Sequence, residues 1–390
     1  MEKNQKSKVA LVKCTSYDQK DVDKAVARAI KLLGGIDKFV KKGSKVLLKP
    51  NMLGAAKREQ RVATDPAVVE AVIKILKKKK CTIYLGDSPA IGSAASVAES
   101  CGIKKVCDKY NIEILDFSIS EKFVNLEGKI VKDFILPSKL NEIDAIINLP
   151  KLKTHGFLTY TGAVKNLFGL IPGLQKASYH LRLTKKEEFS TMLLDLYGFT
   201  KKQVKLNLMD GIIGMEGSGP QNGNPKKSNF ILASSDAIAL DSVTCELISI
   251  SHEKIFTNFF GGKRNLGNSN FENITILGDK FDDLKTSFSY IKTASISEKV
   301  PKFLMNFIKN KIVAKPVIDK NKCLGCRNCF NICPAKTIKM RNDKAVIYYD
   351  KCIRCYCCHE VCPYKAIVLK ETLTTGILRK IIGFFKKSKK

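Results

Sequence analysis

Short apolar runs recur between Lys8 and Ser234, and each is followed by polar or glycine-containing residues. Their length and their content of Val, Ile and Leu are typical of buried β-strands. The runs cover residues 8–14, 44–50, 81–87, 112–117, 144–150, 204–210 and 229–234.

Helical patterns lie between several of these runs, at residues 21–33, 66–79, 94–109 and 186–198. Alternation of strands with helices predicts an α/β fold with a layered, mostly parallel sheet. In such sheets ligands bind at the carboxyl ends of the strands. We therefore look for functional residues directly after the predicted strands.

Two amphipathic segments flank a cysteine-rich region near the end of the chain. Residues 297–315 place apolar side chains on one helical face and predict a connecting helix. Residues 372–390 form a basic amphipathic pattern that favours packing on the protein's own body, with contact to an anionic membrane surface as the alternative. The predicted organisation is an α/β domain (1–296), this connecting helix, a small α+β two-cluster domain (316–371) and the tail.

The composition narrows the class of protein. The formal net charge is +31, but 59 of the 68 basic side chains are lysine. Arginine is the residue that matches guanine edges, so a sequence-reading nucleic-acid binder is not favoured. The lysine excess indicates either a solvated surface or affinity for acidic partners and anionic substrates. The polar start MEKNQKSK and the absence of an apolar run of about 18 residues lead us to expect a soluble, cytoplasmic protein.

Nine of the 14 cysteines lie between Cys323 and Cys362, in two copies of the pattern C-x2-C-x2-C-x3-C-P. The first copy begins at Cys323 and the second at Cys352. Three cysteines in a tight loop can ligate one [4Fe–4S] cluster, while the fourth reaches the other cluster. The predicted ligand sets of the two clusters are Cys323, Cys326, Cys329 and Cys362 for the first, and Cys352, Cys355, Cys358 and Cys333 for the second.

The spacing disfavours zinc sites, which do not require the third cysteine or the C-x3-C-P ending, and the chain shows no export signal that would suggest disulfides. Cys357 aligns with Asn328 and is the spare thiol, and His359 aligns with Phe330 and is expected on the domain surface. The region from Pro316 to Lys370 resembles a bacterial two-cluster ferredoxin. We expect a redox module of oxygen-poor metabolism that serves its own large domain.

Polar residues cluster after several predicted strands of the α/β part. The stretches are KPNM (49–52), TDP (64–66), GDSPAIGS (86–93), LPKLKTHGFLTYTGAVKNLFG (149–169), Tyr179–His180 and DGIIGMEGSGPQNGNP (210–225). Together they resemble the domain-of-unknown-function 362 family, over roughly residues 8–260. The resemblance implies an architecture with a fused ferredoxin module and no particular reaction.

The residue types in these stretches predict a cationic pocket for a carboxylate, phosphate or enolate. Histidine can pass a proton near neutral pH, so a catalytic group is predicted alongside the binding residues. The alternatives are that the lysines face solvent, that the histidines are structural and that Asp87 serves a turn. Asp236 and Asp241, near the start of the next helix, are expected to be capping and first-turn acids. The candidates are His155, Lys165 and His180 for catalysis, and Lys49, Asn51, Asp87, Lys151, Lys153, Asn166 and Glu216 for binding, the last as a carboxylate inside a glycine-rich loop.

No nucleotide-binding or hydrolase motif is present in the sequence. The leading hypothesis is an iron–sulfur electron-transfer protein that exchanges single electrons with a redox partner or with an anionic substrate held by the α/β domain. In the second case it would be an iron–sulfur oxidoreductase. The alternative is a non-enzymatic docking or assembly factor with a redox-sensing ferredoxin module.

Overall fold

The computed structural model describes residues 6–173, 175–291 and 313–370. In the α/β part of these residues the chain forms strands β1 (Ser7–Lys13), β2 (Lys45–Pro50), β3 (Thr82–Leu85), β4 (Glu113–Ile114), β5 (Ser120–Val124), β6 (Asp133–Pro137), β7 (Ala145–Leu149), β8 (Lys151–His155), β9 (Thr159–Thr161), β10 (Val204–Glu216), β11 (Asn224–Ser234) and β12 (Ile274–Gly278).

Helices alternate with these strands and cover both faces of the sheet. They are α1 (Gln19–Leu32), α2 (Pro66–Lys78), α3 (Ala94–Cys101), α4 (Ile103–Tyr110), α5 (Ala163–Asn166), α6 (Gln175–Arg182), α7 (Lys186–Thr200), α8 (Ala237–Leu247) and α9 (Phe256–Lys263). The predicted α/β class is confirmed.

The main sheet has the order β12-β1-β11-β10-β7-β2-β3-β4, with β8 paired to β10 and β9 paired to β8. Most neighbours are parallel, while β11 runs antiparallel to both β1 and β10. Along β2, Val46 and Leu48 belong to one hydrophobic core and Leu47 to the other. Side chains of a strand alternate between faces, so an unbroken apolar run is what a sheet covered on both faces requires.

Several predicted boundaries differ from the structure. The pattern at 94–109 forms two helices because Gly102 adopts φ +85° and ends α3. The run at 112–117 contributes only the short edge strand β4. Strand β10 continues to Glu216, so this carboxylate ends a strand and does not lie inside a glycine-rich loop.

The C-terminal module contains two small antiparallel sheets. Strand β13 (Lys315–Ile318) pairs with β16 (Ile367–Lys370), and β14 (Ile338–Arg341) pairs with β15 (Lys344–Ile347). Two short helices, α10 (Asn328–Ile332) and α11 (Cys357–Glu360), begin within the two cysteine patterns. The internal repeat is therefore visible in the backbone, since the residues before both helices, Arg327 and Tyr356, have positive φ.

The module contacts the α/β domain mainly through its second half, and Ile332 of the first half joins this contact beside Cys357 and Val361. Tyr356 and Leu369 lie against Gly156, where a Cβ would stand 2.8 Å from Leu369 Cδ1. The side chain of His359 is only 1% exposed, and its ring nitrogens lie 2.6 Å from the carbonyl oxygen of Ile367 and 3.1 Å from that of Ser218. The prediction that His359 lies on the domain surface was therefore wrong, because the α/β domain covers it.

Two predicted segments fall mostly outside the described residues. These are the connecting helix at 297–315, of which only the last three residues are described, and the tail at 372–390. Lys315, the last residue of the first segment, is the first residue of β13 and is not helical. Among the described residues no helix is both long enough and apolar enough to cross a bilayer.

Candidate functional site

A cavity lies where the carboxyl ends of β2, β3 and β9 meet the C-terminal module. Its enclosed volume is about 80 Å³, and the whole space between its walls, with the open solvent included, is about 720 Å³. The α/β domain provides most of the wall, and the module closes it with Ile332, Cys357, Glu360 and Val361. The polar side chains of the α/β wall are Asn51, Asp87, Ser88, Thr161, Lys165, Asn166, Lys176 and His180.

Helix α5 carries Lys165 and Asn166 into this wall, and Asp241 of α8 fixes its start. The Asp241 carboxylate accepts hydrogen bonds from Ala163 N at 2.7 Å and Val164 N at 3.1 Å. Burial raises the pKa of Asp241 to about 7, against the effect of these bonds. Asp241 lies inside α8 and serves the start of another helix, so its predicted role as a first-turn acid was wrong, whereas Asp236 does cap α8.

An amide network fixes the floor of the cavity. Asn51 Nδ2 donates to Asn166 Oδ1 at 2.9 Å, and Asn166 Nδ2 donates to Asn148 Oδ1 at 2.7 Å. Lys153 Nζ donates to Asn51 Oδ1 at 2.6 Å and to Val62 O at 2.9 Å. Burial and the ammonium of Lys165 hold the pKa of Lys153 well below its usual value. These groups are hydrogen-bonded to one another, so they determine the shape of the site and contribute little positive charge to it.

Two of the candidate lysines form buried ion pairs. Lys49 Nζ lies 2.7 Å from Asp87 Oδ1, and Lys151 Nζ lies 2.8 Å from Asp210 Oδ2. Asp87 also accepts from Met52 N at 2.6 Å, which ties the β2 end to the β3 end. Burial lowers the pKa of both lysines, and the paired carboxylates oppose that shift.

Five of the candidate residues do not line the cavity, namely Lys49, Lys151, Lys153, His155 and Glu216. Glu216 instead accepts from Ser289 N at 2.8 Å and pairs with Lys226 at 3.2 Å. Strand β8 directs Lys151 toward β10, where residue 210 is its register partner. The prediction that Lys49, Lys151 and Lys153 gather as free cations in one pocket was therefore wrong. The alternative that they face solvent was also wrong, because all three side chains are buried.

Lys165 and Lys176 are the cations that face the cavity. Lys165 is half-buried and makes no hydrogen bond or ion pair with any described residue. Burial lowers the pKa of Lys165, and the nearby Glu360, Cys357 and Asp87 partly oppose that shift. Lys176 Nζ donates to the carbonyl oxygens of Ser88 and Pro89, and burial lowers its pKa to about 7. The cavity therefore offers positive charge that the protein itself does not neutralise completely.

The two candidate histidines are buried and neutral near pH 7. His155 Nδ1 accepts from Phe157 N at 3.0 Å and Leu158 N at 3.2 Å, so its proton resides on Nε2, which lies 3.3 Å from Glu360 Oε1. Burial holds the pKa of His155 well below 6.5 and lowers that of His180, which stacks on Phe189, to about 3. The expectation that they pass protons by titrating near neutral pH is corrected.

The eight predicted cluster ligands fall into two separate spaces of the module. Cys323, Cys326, Cys329 and Cys362 line one of these spaces, and Cys333, Cys352, Cys355 and Cys358 line the other. No three ligand-type side chains in the described ranges converge closely enough for a single ion. Four thiolates around a cubane stand farther apart, each on a different iron. The donor type and the grouping both fit [4Fe–4S] clusters.

Backbone N–H groups also reach the crossing cysteines. Thr337 N donates to Cys333 Sγ at 3.4 Å, and Ala366 N donates to Cys362 Sγ at 3.3 Å. The two bonds are repeat-related, since their donors, like their acceptors, occupy equivalent positions in the two copies of the cysteine pattern. Hydrogen bonds to cluster sulfur are one of the factors that set a reduction potential.

Three titratable residues of the cavity, Lys176, Cys357 and Glu360, were missed from the sequence. Lys176 precedes His180 by four positions, a spacing that places both on one face of α6 and could have identified it. Cys357 and Glu360 replace Asn328 and Asn331 of the first repeat half, and this departure from the repeat was the available signal. Cys357 and Glu360 reach the cavity only because the module contacts the α/β domain.

Comparisons with known proteins agree with this division. The family model described as "Domain of unknown function (DUF362)" matches residues 46–246, and the model described as "4Fe-4S dicluster domain" matches residues 315–363. The Thylakoid-associated protein sll1697 of Synechocystis sp. is 35% identical over 258 residues, which are 64% of this chain and 77% of that protein. Ferredoxin-2 of Desulfomicrobium norvegicum is 42% identical over 30 residues, which are 8% of this chain and 51% of that ferredoxin.

Among solved structures, the lactate racemase apoprotein from Thermoanaerobacterium thermosaccharolyticum aligns with a TM-score of 0.42 and 13% identity. The alignment covers 64% of this chain and 58% of that one.

Proposed function

The chain belongs to the family described as Domain of unknown function (DUF362), and we propose that it exchanges single electrons between its C-terminal module and a small anionic molecule held in the cavity. The C-terminal region is a 4Fe–4S ferredoxin-type module, which supplies one-electron transfer when loaded and implies a redox partner. The identity of that partner and the presence of an anionic ligand belong to the proposal.

The shared wall of the cavity is the observation that carries this proposal. Lys165 comes from the α/β domain, while Cys357 and Glu360 come from the loop and helix that also hold predicted cluster ligands. A molecule bound here would touch both domains at once. An anion-binding site with no redox role would not need the module as one of its walls.

Each wall has a distinct task in this proposal. Lys165 and Lys176 bind the anion, because their ammonium groups face the cavity and Lys165 has no carboxylate partner at hydrogen-bond distance among the described residues. Phe168, Ile332 and Val361 provide apolar surface that excludes water and strengthens the charge interaction. Asp241 positions α5, and with it Lys165. His180 acts as a neutral polar group beside the ligand, while His155 does not line the cavity and lies next to Glu360.

The module would hold two [4Fe–4S] clusters, one in each set of four cysteines described above. We take residues 316–371 as this domain and residues 1–296 as the α/β domain. Anaerobic purification followed by iron and sulfide analysis tests the assignment, with about eight irons per chain expected from two cubanes. A zinc-only result would contradict it.

The ligand claim is tested by titrating the anaerobic, iron-loaded full chain with inorganic phosphate and with a series of small carboxylates. We expect Lys165→Met to weaken binding by about 10- to 100-fold, because a charged hydrogen bond contributes about 1.5–3 kcal/mol. Lys201→Met, at an exposed lysine of the α/β domain, is the matched control and should bind normally.

A bound anion should also change the reduction potential of the module, since charge near a cluster alters it. A potential that stays constant with saturating anion would favour the docking or assembly factor over the oxidoreductase. Oxidation or reduction of the bound anion by the loaded chain would establish an enzyme.

A second proposal concerns location. The relative's printed name describes that protein as thylakoid-associated, and residues 372–390 of this chain carry six basic and no acidic side chains. We propose a cytoplasmic protein whose tail contacts an anionic membrane surface. Flotation with anionic vesicles should recover the full chain and not a chain ending at Lys370, and equal recovery would contradict the proposal.

A further inference from the structure

The two halves of the cysteine repeat have opposite surroundings. In the second half the α/β domain covers Tyr356 and His359, and His359 contacts the backbone of Ser218. Their counterparts in the first half are Arg327, which is exposed, and Phe330, which is 44% exposed. The two positions of the second half therefore belong to an internal interface, whereas the equivalent positions of the first half are open to solvent.

The open half surrounds the first set of cysteines. Cys326 is exposed, and Leu324 and Tyr364, which line the same space, are 64% and 43% exposed. We call the surface formed by Leu324, Cys326, Arg327 and Tyr364, together with the neighbouring Lys322, the outer port. Large apolar side chains beside a redox site are typical of a docking surface, because they can exclude water from the contact.

The outer port is basic. It contains exposed Lys322 and Arg327, and exposed Lys320 lies beside it. Asp319 and Asp343 are the acidic residues of the neighbouring segments. The Lys322–Asp319 pair is 3.7 Å long and open to solvent, so it neutralises little of this charge. A positive rim around an apolar centre complements an acidic protein surface.

We propose that the outer port docks an acidic one-electron carrier protein, so that electrons enter or leave the chain here and reach the cavity through the covered half of the repeat. One electron leaves the carrier and the module gains it, or the reverse, and no covalent bond is made or broken. The inference rests on the proposed function, because it takes the module as the chain's redox centre. The tail at 372–390 is not a matching occupant, since its six basic side chains would be repelled by the port.

The test uses the full, iron-loaded chain and a chemically reduced, acidic flavodoxin as the probe. Stopped-flow absorbance of the flavin gives the second-order rate of electron exchange over a series of ionic strengths. We expect Lys322→Glu with Arg327→Glu to slow exchange on the order of tenfold at low salt, because charges at a docking rim act on the association rate. Lys201→Glu with Lys202→Glu changes the net charge equally at exposed lysines of the α/β domain and should leave the rate within about twofold.

Calorimetry with the oxidised partners separates docking from electron exchange. Leu324→Ala should weaken binding several-fold without altering its salt dependence, since it removes apolar contact and no charge. Iron content and the visible spectrum must match those of the unmodified chain, which excludes loss of the clusters as the cause.

Equal slowing by both charge-reversal pairs would overturn the proposal, because a general field and not the port would then be responsible. So would a rate unchanged by the port variants, or no exchange with the flavodoxin. A chain ending at Lys370 that reacts at least tenfold faster would identify the tail as the occupant. The measurements need no cavity ligand, so a failure of anion binding leaves them valid, and the two proposals fail separately.

Discussion

Replacing Lys151 and Lys165 one at a time by methionine separates a lysine that holds the fold together from a lysine that binds ligand. Both belong to the polar stretch that the sequence marks as functional. Lys151 and Asp210 are both fully buried, and Lys151 Nζ also donates to Tyr17 OH at 2.7 Å. Lys165 has no such partner among the described residues and faces the cavity.

The structure gives opposite expectations for the two variants. Lys151→Met leaves the Asp210 carboxylate buried with hydrogen bonds from Tyr17 OH and Asp65 N but no counter-charge. Removing one partner of a buried ion pair costs about 3–5 kcal/mol. Lys165→Met removes a partly buried ammonium that pairs with no described carboxylate, so the free energy of unfolding should change by less than about 1 kcal/mol.

Urea unfolding followed by far-ultraviolet circular dichroism measures the first quantity, and titration with inorganic phosphate or small carboxylates measures the second. For a slope of about 3 kcal/mol/M, Lys151→Met should lower the urea midpoint by about 1–2 M. Its anion affinity, measured without urea, should stay within about threefold of the original. Lys165→Met should show the reverse pattern.

A Lys151→Met variant that unfolds at the original midpoint and binds the anion more weakly would refute the structural role of Lys151. That result would mean that the ammonium of Lys151 reaches the ligand and that the ion pair with Asp210 contributes nothing. Loss of stability in both variants would instead show that Lys165 has a structural partner.

Three further predictions follow from the same geometry. Burial lowers the pKa of Lys176 to about 7 and raises that of Glu360, which also lines the cavity, to about 7. As the pH rises, Lys176 loses its positive charge and Glu360 gains a negative charge, so anion affinity should fall between about pH 6 and about pH 8, whereas Lys176→Arg combined with Glu360→Gln should keep its affinity across this range; a flat profile for the original chain would contradict this. Cys357→Ala should retain the full iron content and Cys358→Ala should lose about half of it, as iron analysis would show; equal losses would make Cys357 a ligand. Asp241→Asn should lower the free energy of unfolding in urea by about 1.5–3 kcal/mol and also weaken anion binding, because it weakens the hydrogen bonds that hold the start of α5. Unaltered binding would show that the position of Lys165 does not depend on Asp241.

The sequence by itself determined the elements and the cysteine grouping. The short apolar run at 46–48 indicates a strand covered on both faces, because it is too short for a helix and its consecutive side chains point to opposite faces of a sheet. The internal repeat determined which cysteines lie together. Three cysteines in a short loop can ligate only one cluster, and the turn that follows directs the fourth thiol toward the other cluster. Both are local properties of the chain.

Only the tertiary structure decided which polar residues are available to a ligand. Lys49 is neutralised by a carboxylate 38 residues away, and Lys151 by one 59 residues away, because strand order brings their strands together. His359 and Glu360 became internal because the α/β domain covers the second half of the repeat. Spacing along the chain specifies neither contact, since charge pairing and burial depend on which surfaces meet in the folded protein.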